Sequence, residues 1–285
     1  MTAVDVVHTV PGGREASQAV VDAGAMLGFE SSASPATGLR VGFIDYPFTA
    51  PGDPFPAHFA AVRRHQPVYA VAPDIEPPRT FTDVMRRADR LDEFCETVIV
   101  PVKQAGDTHP SEIPARFRVG LPFAPNFGSG GLSLGDRALN EYADAPGGVH
   151  VLGGPPSDQL ALRGVVDVRS VDTSLPLLYA RKGRIWFPEG QIETGGYFGG
   201  VYKLLEASLR NYRRAWGATV EPTATLTPGY REFLSEASYP SRDRDIAAAY
   251  MLSGSRGAPR LLEPDSPAWL RYDFERRRDF RADRD

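Results

Sequence analysis

Residues 148–172 read GVHVLGGPPSDQLALRGVVDVRSVD. An apolar run at 148–152 ends in Gly153–Gly154. A stretch at 156–163 has helical composition, and a second apolar run at 165–171 ends in Asp172. Strand, short helix and strand in so few residues make a βαβ unit, which requires parallel pairing. Working outward, similar runs occur at 40–45 (RVGFID), 68–72 (VYAVA), 97–102 (TVIVPV) and 117–121 (FRVGL). Helical stretches at 54–65, 80–95 and 133–143 lie between them, and 31–39 (SSASPATGL) reads as a loop. Six runs leave room for two weaker strands, near 4–10 and after residue 217. The expected fold is an α/β (β/α)8 TIM-type barrel, somewhat irregular, in one domain over 1–285. Its core spans about 40–216. A helical part follows, with helices near 228–237 and 244–252 and an Arg/Asp-rich tail.

Composition excludes several classes. The chain has 285 residues and a formal charge of −4, so it is not a uniformly basic nucleic-acid binder. No apolar stretch is long enough to span a bilayer. The start, MTAVDVVHTVPGGREAS, lacks a signal peptide's basic end and apolar run. The expectation is a cytoplasmic protein with no membrane partner, in the host cytoplasm if viral. One cysteine, Cys95, forms neither an internal disulfide nor a cysteine-based zinc cluster. The five histidines show no metal-ligand spacing, and no Gly-x-Ser-x-Gly elbow is present. Arginine clusters at Arg86–Arg87–Arg90 and Arg210–Arg213–Arg214 read first as solvated helix faces, and second as phosphate-binding patches.

The strand ends carry the chemistry. Asp45 ends the first clear run and Asp74 follows the second. Lys103 and Gln104 close the third, Gly153–Gly154 the fifth, and Asp172 the sixth. A single Asp after a strand is usually a turn former or helix cap. Three in one register, at the end of a barrel where active sites lie, point to a site.

Beyond Asp172 the sequence continues TSLPLLYARKGRIWFPEG. A glycine turn after VHVL, then an Asp turn, Leu178–Tyr179–Ala180–Arg181, Gly183–Arg184 and Pro188–Glu189–Gly190 occur in order. This segment resembles the catalytic segment of tRNA-guanine transglycosylases, especially the archaeosine-type branch. The resemblance implies that Asp172 is the nucleophile and Asp45, in GFIDYPF, the general acid/base, although that branch's diglycine after the Asp is missing here. It implies base-binding roles for Asp74, Gln104, Gly120 and Gly153. Arg181, Lys182 and Arg184 make the basic patch that would grip a nucleic acid. The family's zinc site uses three cysteines and a histidine, so no zinc or other cofactor is expected. Zinc-less relatives in phages and bacteria insert 7-deazaguanine bases into DNA, and this chain is most similar to them. The implied partners are DNA, or alternatively tRNA, with a free 7-deazaguanine such as 7-cyano-7-deazaguanine. Relatives often dimerise, so a homodimer is one expectation, while the sequence leaves the oligomeric state open.

Base exchange at an N-glycosidic bond passes through an oxocarbenium-like C1′. One carboxylate traps that centre and a second moves a proton to and from the bases, as in a retaining glycosidase. A carboxylate such as Asp74 suits the N–H groups of a guanine edge. Tyr46, Phe48, Phe123 and Phe127, just beyond strand ends, either stack on a base or pack the mouth. A non-catalytic barrel subunit that binds nucleic acid or a partner is the alternative of a different class.

Overall fold

The computed structural model describes residues 3–218 apart from 11, 34, 36–37, 76–78, 103–107, 123–135 and 194–199. Eight parallel strands close a barrel in chain order. They are β1 (Asp5–Thr9), β2 (Met26–Glu30), β3 (Phe43–Asp45), β4 (Tyr69–Val71), β5 (Thr97–Pro101), β6 (Arg118–Pro122), β7 (Val149–Leu152) and β8 (Val168–Thr173). β8 returns to β1 with Asp5 opposite Ser170 and Val7 opposite Asp172, which seals the ring. Helices α1 (Arg14–Asp22), α2 (Phe55–His65), α3 (Phe81–Asp92), α4 (Asp136–Ala143) and α5 (Pro156–Ala161) lie between the strands, and among the described residues no helix separates β2 from β3. The β5–β6 connection holds a short 3-10 turn at Pro110–Glu112. The architecture is a (β/α)8 TIM-type barrel.

The strands are mostly apolar because most of both faces is covered. Val7, Phe43, Val71, Ile99, Val119, Val149 and Val171 are fully buried. Each such side chain contributes roughly 1.5–3 kcal/mol relative to exposure. The helices turn one stripe inward. In α3 that stripe is Val84, Ala88 and Leu91. Thr80 starts this helix by accepting from the Asp83 amide at 3.2 Å, while the Asp83 carboxylate accepts from the Thr80 amide at 3.4 Å. Such a reciprocal cap is worth about 1 kcal/mol.

All six clear runs of the sequence are strands, and the weak one near 4–10 is β1. The eighth strand is β2, ahead of the first clear run, and not a segment after residue 217. The barrel therefore starts at Asp5, well before residue 40. Its signal is poor because Gly28 interrupts MLGFE, and a glycine weakens any strand pattern. Packing demands that glycine. A Cβ there would lie 2.9 Å from both Phe43 Cδ1 and Val7 Cγ1. The helices expected at 228–237 and 244–252, and the Arg/Asp tail, lie outside the described residues.

The chain divides into two compact units, the barrel unit with Met1–Leu175 and Tyr212–Ala218, and a second containing Pro176–Asn211. The second unit holds most of α6 (Leu175–Arg181), the antiparallel hairpin β9 (Arg184–Phe187) and β10 (Gly190–Glu193), and most of α7 (Val201–Ala215). Gly183, with φ of 71°, ends α6 and donates its amide to the Ala180 carbonyl at 2.9 Å. Trp186 fixes the hairpin to α7. Its amide donates to Ser208 Oγ and its carbonyl accepts from Asn211 Nδ2, each at 3.0 Å.

Candidate active site

The C-terminal strand ends converge on one mouth, where functional groups of this fold gather. The structure brings together Asp45 at the end of β3, Asp74 just after β4, Asp172 near the end of β8, and Glu30 at the end of β2. Asp45 feels the other three directly. Burial first, then the charge of Asp172, push its pKa well above the ordinary carboxyl value, with smaller pushes from Glu30 and Asp74. The Tyr46 amide, donating to Asp45 Oδ1 at 2.9 Å, opposes them. Asp74 is fully buried, and its backbone carbonyl accepts from Arg79 Nε at 3.1 Å.

Asp172 sits in a different environment. It is only 7% exposed, and its Oδ1 accepts the Gly153 amide at 2.9 Å. The same oxygen lies 3.2 Å from His150 Nε2. Gly153 and Gly154 take φ of 68° and 89°. Side chains there would cost roughly 1–2 kcal/mol each, so the diglycine turn is what aims an amide at the carboxylate. Gln159 of α5 secures this turn, donating to the Gly153 carbonyl and, at 2.8 Å, to the Asp172 carbonyl. Tyr212 donates its hydroxyl to Gln159 Oε1 in turn.

Below the mouth is a buried polar column. His150 Nδ1 is 2.7 Å from Ser170 Oγ, which accepts from Arg118 Nη1 at 2.8 Å. The Arg118 guanidinium lies 4.9 Å from the centre of the Tyr69 ring, and Tyr69 donates its hydroxyl to Asp5. A one-residue register shift between β7 and β8 inserts Arg169 and places Ser170 opposite His150. Phe43 stacks on the His150 ring at 5.4 Å and 18°. Burial lowers the His150 pKa, Asp172 opposes that, and the charge of Arg118 adds to it.

The remaining expected residues fall as follows. Gly120 faces the barrel interior, where a Cβ would approach Leu152 Cδ1 to 2.8 Å and Pro101 Cα to 3.0 Å. Gly153 directs its amide at Asp172. Lys103, Gln104, Phe123 and Phe127 lie outside the described residues. Tyr46 is buried edge-on against Phe48 and His58, as mouth packing, while Phe48 is 38% exposed. Arg181 and Lys182 are exposed and Arg184 is half-buried, all in the second unit. Among the described residues no group of three or more His, Cys, Asp or Glu is arranged to hold a metal ion, and no helix is long and apolar enough to cross a membrane. The sequence reading missed Glu30, Arg118, His150, Gln159 and Ser170. For His150 and Ser170 the available signal was a polar residue in alternate register inside a strand, as in VHV and RSVD.

No curated protein matches this sequence. A solved structure described as a putative fructose-1,6-biphosphate aldolase from Coccidioides immitis is similar in fold, with 12% identity and a TM-score of 0.46 over 76% of this chain and 90% of that one. A family model matches residues 20–217, more than half of the chain, and the protein belongs to that family, DUF6610, a family of unknown function.

Proposed function

We propose that this protein is a glycosyltransferase of the pentosyltransferase class that exchanges guanine in DNA for a 7-deazaguanine base. One observation carries the reading: two carboxyl groups share a mouth, and one of them is pushed towards its protonated form. Asp45 is pushed that way by burial and by Asp172, while Asp172 accepts the Gly153 amide and lies 3.2 Å from His150 Nε2. A carboxyl group held in its protonated form suits the acid role, and a neighbour oriented by fixed polar contacts suits the nucleophile role. The Leu178–Arg184 sequence context, similar to the transglycosylase segment, supports the same division.

The steps balance. Asp172 Oδ2 bonds to C1′ as the C1′–N bond breaks, and the leaving guanine takes its electron pair and the proton of Asp45. The incoming base gives a proton back to the Asp45 carboxylate, bonds to C1′ through its nitrogen, and releases Asp172. Asp74, Glu30 and Asp172, whose charges Asp45 feels, crowd negative charge where positive charge develops on the sugar. Asp74 contributes acceptors for the N–H groups of a guanine edge. A base in a duplex must leave the stack to reach the mouth, at a cost of a few kcal/mol.

The test is incubation with labelled guanine or 7-cyano-7-deazaguanine and either duplex DNA or tRNA, followed by nucleoside analysis. Incorporation into DNA that Asp172→Ala abolishes supports the proposal. Incorporation only into tRNA moves the substrate to tRNA. Binding without exchange on either polymer overturns the enzymatic reading in favour of a binding subunit.

A further inference from the structure

We propose that His150 is a positioning residue for Asp172, locked in one tautomer by a one-way chain of hydrogen bonds running from Arg118 through Ser170. The inference rests on the reading of Asp172 as the nucleophile.

The direction of the chain follows from what each group can do. A guanidinium only donates, so Arg118 Nη1 donates to Ser170 Oγ at 2.8 Å. A carboxylate only accepts, so His150 Nε2 carries the ring proton and donates to Asp172 Oδ1 at 3.2 Å. A neutral imidazole has one N–H, so Nδ1 offers a lone pair to the Ser170 hydroxyl at 2.7 Å. The ring is fully buried, and burial holds it neutral. The charged and titratable groups around it are Asp172 on β8, Arg118 on β6, Asp5 on β1 and Tyr69 on β4.

The geometry gives the relay a purpose. Both N–H bonds to Asp172, from His150 and from Gly153, end on Oδ1. The carboxylate is thereby oriented with Oδ2 left for attack. The register shift that sets Ser170 opposite His150 and the Phe43 ring stacked on the imidazole both hold the donor in place. In the other tautomer the Nε2 lone pair would face Oδ1 and repel it. Asp172, which only accepts, thus sets which way the histidine proton points, and Ser170 supports that tautomer by donating to Nδ1.

Histidine nitrogen NMR on the labelled full chain near neutral pH tests the relay without reference to activity. The wild type is expected as the Nε2–H tautomer, and Ser170→Ala, which removes the donor to Nδ1, is expected to raise the share of the Nδ1–H tautomer. Paired variants then test positioning. Glutamine places its amide nitrogen near the Nε2 position and asparagine near the Nδ1 position. His150→Gln keeps kcat within about threefold, while His150→Asn lowers kcat about 10²-fold with KM unchanged, as expected when a reacting group is misplaced. Equal Tm values for the two variants separate positioning from folding. An Nδ1–H or doubly protonated ring in the wild type, or equal kcat losses in both variants, overturns the proposal. If the tautomer behaves as described but wild-type protein exchanges no base, the exchange reading fails and the relay stands.

Discussion

Replacing His8 by leucine is expected to flatten the acid side of the stability curve. His8 lies on β1, fully buried, and neither ring nitrogen has a hydrogen-bond partner among the described residues. Burial lowers its pKa from 6.5 to about 3, and the nearby Thr173 carbonyl opposes this only in part. The unfolded chain therefore binds a proton that the folded one refuses throughout that window. Stability contributed by the neutral ring is complete above the unfolded value and is lost as pH falls towards the folded one. Each unit is about 1.4 kcal/mol, so moving from about pH 7.5 to about pH 5 costs the wild type roughly 2 kcal/mol through His8 alone. Out of a total stability of about 5–15 kcal/mol, that is a substantial share. Asp45 acts in the opposite sense, because its raised pKa adds stability as pH falls. The quantity to measure is thus the difference between wild type and His8→Leu, in which Asp45 cancels. Urea unfolding at the two pH values provides it, with leucine chosen because it leaves no titrating group behind. Equal pH dependence in the two proteins refutes the reasoning, as does a wild type that loses less stability on acidification than the variant.

Asp45→Asn is expected to abolish base exchange and to raise Tm above wild type at pH 8, with the gain fading as pH falls through the elevated Asp45 pKa; thermal melts at several pH values check this sign. Gly120→Ala forces a methyl within 2.8 Å of Leu152 Cδ1 and 3.0 Å of backbone Pro101 Cα. It is expected to cost about 1–3 kcal/mol in denaturant unfolding, as overpacking does. Replacing Arg181, Lys182 and Arg184 together by serine is expected to weaken nucleic-acid binding and to reduce the slope of log K against log salt by about 0.9 for each phosphate no longer neutralised, read by fluorescence titration. An unchanged slope removes these residues from the interface.

The sequence by itself determined the alternation of strands and helices. Most of both strand faces is covered, so β3 to β7 read as largely apolar runs, and the polar residues at the strand ends stand out. Asp45, Asp74 and Asp172 were visible for that reason. The glycine pair at 153–154 was visible too, but its task was not. Only the fold shows that its left-handed backbone turns an amide onto Asp172. β2 was illegible because its interior glycine answers to Phe43 and Val7, residues far away in sequence. His150, Ser170 and Arg118 were hidden for a related reason. His150 and Arg118 are lone polar residues in apolar strands, Ser170 sits among other polar residues of β8, and the partners of all three come from other strands. The register between β7 and β8, including the inserted Arg169, decides that they meet. Local composition records which residues are buried, while pairing across a closed barrel sets which buried polar groups satisfy one another. The carboxylates belong to the first kind of information, and the relay that orients one of them belongs to the second.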